Sequence, residues 1–435
     1  MTVKCTALLV AAGLAAPVRA QLPSPSPPLQ LAELQRQAAE RDPRARELAL
    51  YARQADLRTA NIEAERLPAI SVAGKAQYQS DVPQFPLALP GGGAPLGPPH
   101  DTYDASVRVE ERLVDSTRAP RLALERATEG ESEARVRAAV YALRQQVNDA
   151  FYTAALLEAR RQSLAAAITD LETRLRELTA RVREGTALAG EAAAIEANLI
   201  LRRQEDSELA ANRHAALSRL SVLTGRTIPD DATLAVPDLG AAVASARGRL
   251  DALRERPEYA VFARTRDRIS RQSDLAAVQD RPRASAFGTA GVGRPGLNFI
   301  GHDWEAYWLT GVQLEWHAWS WGSRERERQA LDAQQAVVQA DEAAFTDELV
   351  RAVQNDLAAI DRLGGIAADD DRIVDLRESI DRGAHARFRE NVITAADYLE
   401  RSTELADARY NRAAHRIQLS QAGARFLNTL GIEVP

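Results

Sequence analysis

The chain has 435 residues, with Lys+Arg 55 against Asp+Glu 61, a formal net charge of −6 and only 5% aromatic residues. So even a balance of charge argues against a nucleic-acid partner, which would need a basic excess. The scarcity of aromatics and the bias toward Ala, Glu, Leu and Arg suit long helices and coiled coils better than a compact enzyme core.

The first twenty residues, MTVKCTALLVAAGLAAPVRA, set Lys4 before an apolar run and end on Val18-Arg19-Ala20. This is the pattern of a secretory signal peptide over 1–20. Cys5 is the only cysteine and falls inside it. The exported chain is therefore expected to have no disulfide, thiolate metal site or catalytic thiol. No later run approaches ~18 apolar residues, so no membrane-spanning helix is expected. Contact with a membrane would be through β-structure or an interfacial helix. Residues 21–42 form an N-terminal segment with no assigned element.

From residue 43 the sequence repeats itself. ARVREGTALAGE (180–191) and ARFRENVITAAD (386–397) align at an offset of 206, as do LTGRTIP (223–229) and TLGIEVP (429–435). RDPRA (41–45) and ERPEY (255–259) align at 214, while Val107 pairs with Val312 at 205, so the second copy is shorter in its middle. Fixed-offset similarity of this kind predicts structural duplication. Two repeats are expected, 43–229 and 257–435, joined by a linker over 230–256.

Each repeat opens with a helical stretch between prolines, 44–67 and 258–281. A β-hairpin follows, 69–113 and 283–316, then a long helix, 118–183 and 323–390, and a last helix, 187–224 and 393–430. Apolar residues recur at 4,3 spacing from Val136 to Leu178, with Arg161 the one intruder; sustained heptads predict a coiled coil. The second long helix is interrupted by Gly364-Gly365, which should weaken or kink it. At ~1.5 Å per residue the stretch 118–183 would be roughly 100 Å long. The two shorter helices of its repeat, end to end, match that height, which predicts a tall wall rather than a globule. Gly185 and Asn391 sit between successive helices at matching places. Both types reach left-handed backbone cheaply, so they mark the tips of two helical hairpins.

The strands alternate. In DTYDASVRVE (101–110) Tyr103, Ala105, Val107 and Val109 lie on one face, and Asp104, Ser106, Arg108 and Glu110 on the other. Residues 70–79 follow the same rule, and the two runs flank a Gly/Pro-rich loop at 87–100, as in a hairpin. All five tryptophans lie in 303–322, DWEAYWLTGVQLEWHAWSWG, where Trp304, Trp308, Val312, Leu314 and Trp316 share one face. From Trp304 to Trp316 is roughly 40 Å of strand, which at a tilt of about 45° rises near the ~25 Å apolar band of an outer-membrane barrel. Tyr78, Tyr103, Trp304, Trp308 and Trp316 are the candidate membrane-interface aromatics. Four strands cannot close a spanning barrel, since the smallest have about eight. The chain is expected to share a barrel with copies of itself, two giving eight strands and three giving twelve.

These features resemble the TolC-like outer-membrane efflux proteins over nearly all of the mature chain. The resemblance rests on the tips, RVREGTALAGE and RFRENVITAADYLERSTELADARYN, and on the strand-to-helix corner LEWHAWSWGSRERERQA. The family corner usually reads P-L-F-D-x-G followed by Arg. Gly322 and its arginines match, while His317 and Ser320 stand at the Pro and Asp places; the first copy keeps Leu113 and Asp115 but has Thr117 at the Gly place. The resemblance implies a fold that is mainly α with a β-barrel portion: a homotrimer with a shared 12-stranded transmembrane β-barrel in outer-membrane lipid and a periplasmic α-barrel. It implies an outer-membrane channel of a tripartite efflux or type I secretion system, whose tips dock a periplasmic adaptor (membrane fusion protein) coupled to an inner-membrane pump. It also implies an acidic ring at the periplasmic entrance, which by position falls on Asp397 and Glu400; the first copy has Glu191 and Ala194. The family's basic residue near the second tip has no counterpart, since Ile393 stands there.

No enzyme, cofactor or metal site is expected. His100, His214, His302, His317, His385 and His415 are scattered without H-x-x-x-H spacing. The carboxylates of ADDDR (368–372) are neighbours on a helix and point apart. Two rivals to the channel are a periplasmic adaptor and a soluble coiled-coil scaffold. The duplication, and strands between helices in both halves, favour the channel.

Overall fold

A computed structural model describes residues 27–84, 97–390 and 392–435. The expected signal segment 1–20 and the tip residue Asn391 lie outside the described residues. The chain enters through β1 (Leu29–Gln30) and α1 (Leu31–Arg41). Repeat one comprises α2 (Ala45–Ala64), β2 (Ala69–Tyr78), β3 (Asp101–Val114), α3 (Arg118–Tyr141), α4 (Leu143–Arg183) and α5 (Ala189–Thr224). A middle segment holds β4 (Leu234–Ala235), α6 (Gly240–Ala246) and a 3-10 turn, Leu250–Glu255. Repeat two comprises α7 (Pro257–Val278), β5 (Arg283–Arg294), β6 (Glu305–Glu315), α8 (Ser323–Arg389) and α9 (Ala395–Leu430).

Local chemistry sets the ends. Pro257 starts α7 where its missing N–H costs nothing. Gly225 and Gly431 end α5 and α9 in left-handed backbone, φ 63° and 86°. The two strand-to-helix corners are built differently. In repeat two, Trp321 (φ 51°) and Gly322 (φ 72°) both turn left-handed. In repeat one, Thr117 stays right-handed, φ −87°, and Asp115 Oδ1 accepts from its N–H at 2.9 Å and its hydroxyl at 2.7 Å. A carboxylate cap does there what glycine does in the second copy, so glycine is dispensable.

Two features of the long helices differ from expectation. The stretch 118–183 is two helices meeting at Ala142, whose backbone remains right-handed (φ −61°, ψ −19°) and whose N–H still reaches Ala138 O. The interruption is one residue deep. Conversely, α8 runs without a break through Gly364-Gly365, where weakening or a kink was expected. A helical glycine costs only about 1 kcal/mol against alanine, and burial of Val353, Ile360, Leu363 and Val374 holds α8 on either side of the pair. Arg161, the heptad intruder, is matched by Asp206 of α5 at 3.0 Å.

The elements pack in three tiers, each ordered the same way. The sheet runs β2-β3-β5-β6, antiparallel throughout. Below it the helices run α2-α3-α7-α8, and below those α5-α4-α9-α8. Repeat-one elements therefore occupy one half of every tier and repeat-two elements the other. The main core lies where α5 and α9 end. Phe151 and Tyr152 of α4, Leu217 and Leu220 of α5, and Phe426, Leu427 and Leu430 of α9 are fully buried there. They are joined by Leu31, Leu34 and Ala38 of α1 and by Leu239 and Val243 of the middle segment. Residues 27–42 and 230–256 are thus more than a lead-in and a linker: β1 pairs in parallel with β4, and both segments close over the core.

Candidate functional site

The sheet has its apolar face outward. Along β3, Tyr103, Ala105, Val107 and Val109 are exposed, whereas Asp104, Ser106, Arg108 and Glu110 are half-buried. In a water-soluble sheet the apolar face would be the covered one. Register extends this face across all four strands: Val72 pairs with Val107, Val107 with Ala290, and Ala290 with Trp308. Ile70, Val72, Val107, Val109, Val292, Trp308, Val312 and Leu314 form one exposed apolar surface. Contiguous exposed apolar surface of this kind marks a membrane or protein contact.

The opposite face is a bonded polar lining. Tyr307 donates to Asp104, Arg108 donates to Glu110 at 3.2 Å, and the Arg108 guanidinium lies 4.3 Å above the Phe287 ring. Rings on this face are set over glycines of the neighbouring strand. A Cβ on Gly311 would meet Phe287 at 3.0 Å, and one on Gly291 would meet Tyr307 at 2.8 Å. The rings lie across these glycines, against the sheet.

The sequence-predicted aromatics all lie on or at the ends of the apolar face and are exposed. Tyr78 ends β2, and Tyr103 stacks on Trp304 with centroids 5.9 Å apart at the loop end of the sheet. Trp308 stands two repeats of the pleat further in, opposite Ala290. Trp316 lies just past β6 at the helix end, near the edge-to-face pair Trp319–Trp321. No helix among the described residues is long and apolar enough to cross a membrane.

The helical tips form the second region. Gly185 adopts φ +73°, and Thr186 N–H returns to Arg181 O at 2.9 Å, closing the end of α4. At the matching place of repeat two, Val392 N–H returns to Arg387 O at 2.8 Å. Beyond it Thr394 and Asp397 form a reciprocal capping box at the start of α9. The bonds from Thr394 hold the Asp397 carboxyl below the usual aspartate range, so it stays ionised at neutral pH, where a helix N-terminus favours it. Glu400, one turn on, is exposed and lies 3.7 Å from Arg401.

Behind the tips is a cluster with little signature in the sequence. Tyr398 of α9 is buried, stacks on Phe388 at 5.2 Å, and donates to Asp170 of α4 at 2.5 Å. Arg174 of α4 donates to the Tyr398 oxygen at 3.2 Å and to His385 Nε2 of α8. The only trace in the sequence is two i,i+4 pairs, Asp170/Arg174 and Asp381/His385. The ADDDR carboxylates do point apart: Asp370 is buried against His415 at 2.9 Å, and Asp371 meets Arg416 at 2.8 Å. Among the described residues no group of three or more His, Cys, Asp or Glu could hold a metal ion.

No protein-family model and no curated protein matches the chain. Solved structures do. The outer membrane protein VceC from Vibrio cholerae superposes with a TM-score of 0.68 at 14% identity, covering 92% of this chain and 96% of that one. The open state of the Neisseria gonorrhoeae MtrE outer membrane channel gives 0.66 at 16%, covering 93% and 89%. The Campylobacter jejuni CmeC outer membrane channel gives 0.66 at 13%, covering 92% and 85%. The chain therefore has the fold of these outer-membrane channels: mainly helical, with long helices on a small antiparallel sheet.

Proposed function

We propose that the chain is one third of a TolC-like outer-membrane conduit, a homotrimer that carries small molecules or polypeptides outward in a tripartite efflux or type I secretion system. The observation that carries this reading is the equivalence of edges. In each tier the two repeats meet through β3 and β5, α3 and α7, or α4 and α9. By the repeat, β3 corresponds to β6 and β5 to β2; α3 and α4 correspond to α8, α7 to α2, and α9 to α5. The free edges of every tier are thus copies of the surfaces already joined inside the chain. One cyclic operator pairs β6 with β2, and α8 with α2 and α5, of the next copy. Heterologous contacts that close in this way make rings. Exposed apolar residues on those edges need such a cover: Leu50 and Leu57 on α2, Ile200 and Leu201 on α5, Val337, Ile373 and Ile380 on α8.

Three copies give twelve strands with the apolar face toward lipid and the polar face inward. About eight strands would leave an interior that side chains fill, whereas twelve leave room for passage. Tyr78, Tyr103, Trp304, Trp308 and Trp316 serve as interfacial girdles in this arrangement. The lower helices form a periplasmic α-barrel that reaches an adaptor and an inner-membrane pump through the tips at Gly185 and Asn391. A signal peptide over 1–20, removed on export, fits this location. A soluble scaffold or an adaptor would leave the apolar sheet without a partner. Light scattering on the particle extracted in detergent tests the reading: three chains per detergent-dependent particle is expected, and a water-soluble monomer or dimer overturns it.

Asp397 and Glu400 line the periplasmic entrance as an acidic ring. Converged threefold on the axis they attract cations and repel anions. Replacing them with Asn and Gln should reduce the cation preference of single-channel currents, seen as a reversal potential moved toward zero in a salt gradient. An unchanged reversal potential would remove the ring from the conduction path.

A further inference from the structure

The cluster behind the tips contains two alternative partners for one imidazole. Arg174 of α4 donates to His385 Nε2 of α8. A guanidinium has only N–H donors and no acceptor, so this contact requires His385 Nε2 to carry no proton. One turn earlier on the same helix, Asp381 Oδ1 is buried and, among the described residues, has no hydrogen-bond partner. Positions 381 and 385 are neighbours on a helical face. A buried acceptor left without a donor is uncommon and costly, and here it stands one helical turn from an imidazole that becomes a cation by taking up a proton.

We infer that His385 is a proton-operated latch between the two helical hairpins: neutral, its bare Nε2 accepts from Arg174 across the α4–α8 gap; protonated at Nε2, it has no acceptor left for the guanidinium, repels it as a second cation and releases it, with the Asp381 carboxylate on its own helix stabilising the imidazolium.

The charged surroundings are consistent with both states. From α4, His385 faces Asp170, Arg174 and Glu177; from α9, Tyr398; on α8 itself, Asp381 and Arg389. Burial and the Arg174 charge hold its pKa below the ordinary histidine value of 6.5. Burial, with Asp170 nearby, holds Asp381 above the ordinary carboxyl range, and Arg174, His385 and Arg409 of α9 oppose this. The sign follows. The neutral, latched form is complete above about pH 6.5, and the contact is lost as pH falls through the lowered folded value. The His385 contact stands beside the bond from Arg174 to Tyr398 of α9 as one of the ties between α4 and the α8–α9 hairpin, so its loss loosens that link. That this bears on opening at the tips rests on the channel reading; the latch itself does not.

The test uses the exported chain in detergent, with spin labels on cysteines at the exposed positions Ala180 and Ala386, diluted with unlabelled chain. Between about pH 8 and about pH 5, the range of histidine titration, the distance distribution should broaden to longer values, with a midpoint below 6.5. His385→Gln, whose amide oxygen accepts from Arg174 at any pH, should stay narrow throughout. Asp381→Asn, which removes the carboxylate that stabilises the protonated ring, should lower the midpoint. No change in the parent chain, or the same change in His385→Gln, overturns the latch. A midpoint unmoved by Asp381→Asn overturns the part given to Asp381. Absence of current at both pH values with the distance change intact would sink the channel reading and leave the latch standing.

Discussion

Arginine at Val107 or Val312 should remove the chain from the membrane fraction. Both side chains lie on the exposed apolar face, near the middle of β3 and of β6. A cationic side chain at the bilayer midplane of a barrel costs about 2–4 kcal/mol, and a closed trimer bears that cost three times. Arginine at Ser106 or Gln313, one residue away on the polar face, should be far better tolerated, because that face already holds Arg108, Glu110 and Asp104. Membrane fractionation and the yield of detergent-dependent trimer read the contrast. Equal tolerance on both faces would mean that the apolar face does not meet lipid.

Phe426→Ala should cost about 3–5 kcal/mol, the usual cost of emptying a buried aromatic site. Phe426 is fully buried where α9 ends, in the cluster that unites both repeats with α1 and the middle segment. Leu34→Ala, in α1, should cost about 2–5 kcal/mol for the same reason. Val222→Ala, on the exposed side of α5, should fall within about 0.5 kcal/mol of the parent. Urea midpoints of the helical signal give the comparison. If Leu34→Ala behaves like the surface control, α1 is not part of the core and the segment is a mere lead-in.

How much of this was legible before the structure differs from place to place, and the reason is the range of the interactions. The long helices, the alternating strands and the turn at Gly185 could be read because their signals are local. Side chains repeat at about 3.6 and 2 residues in these elements, and left-handed backbone selects glycine. Thr117 at the first corner shows the limit of such a rule, since Asp115 supplies the same turn by another means. The interruption at Ala142 and the continuity of α8 through Gly364-Gly365 were not legible. Each is decided by how well neighbouring helices hold the backbone, and propensity alone gives too small a difference.

The tertiary structure also decided the site. His385 looked like one of six scattered histidines; its partner Arg174 lies 211 positions away in sequence, and nothing local links them. The helix α1 and the middle segment are too short to declare themselves by periodicity, and they exist as structure because Phe151, Leu217 and Phe426 offer them an apolar surface. By itself, the sequence determined the long helices, the main strands and the two-sidedness of those strands, because these depend on residues a few positions apart. Only the tertiary structure decided which edges remain open, which face of the sheet stays uncovered and which charges converge behind the tips. Those depend on contacts between residues hundreds of positions apart, where no pattern in the chain records the pairing.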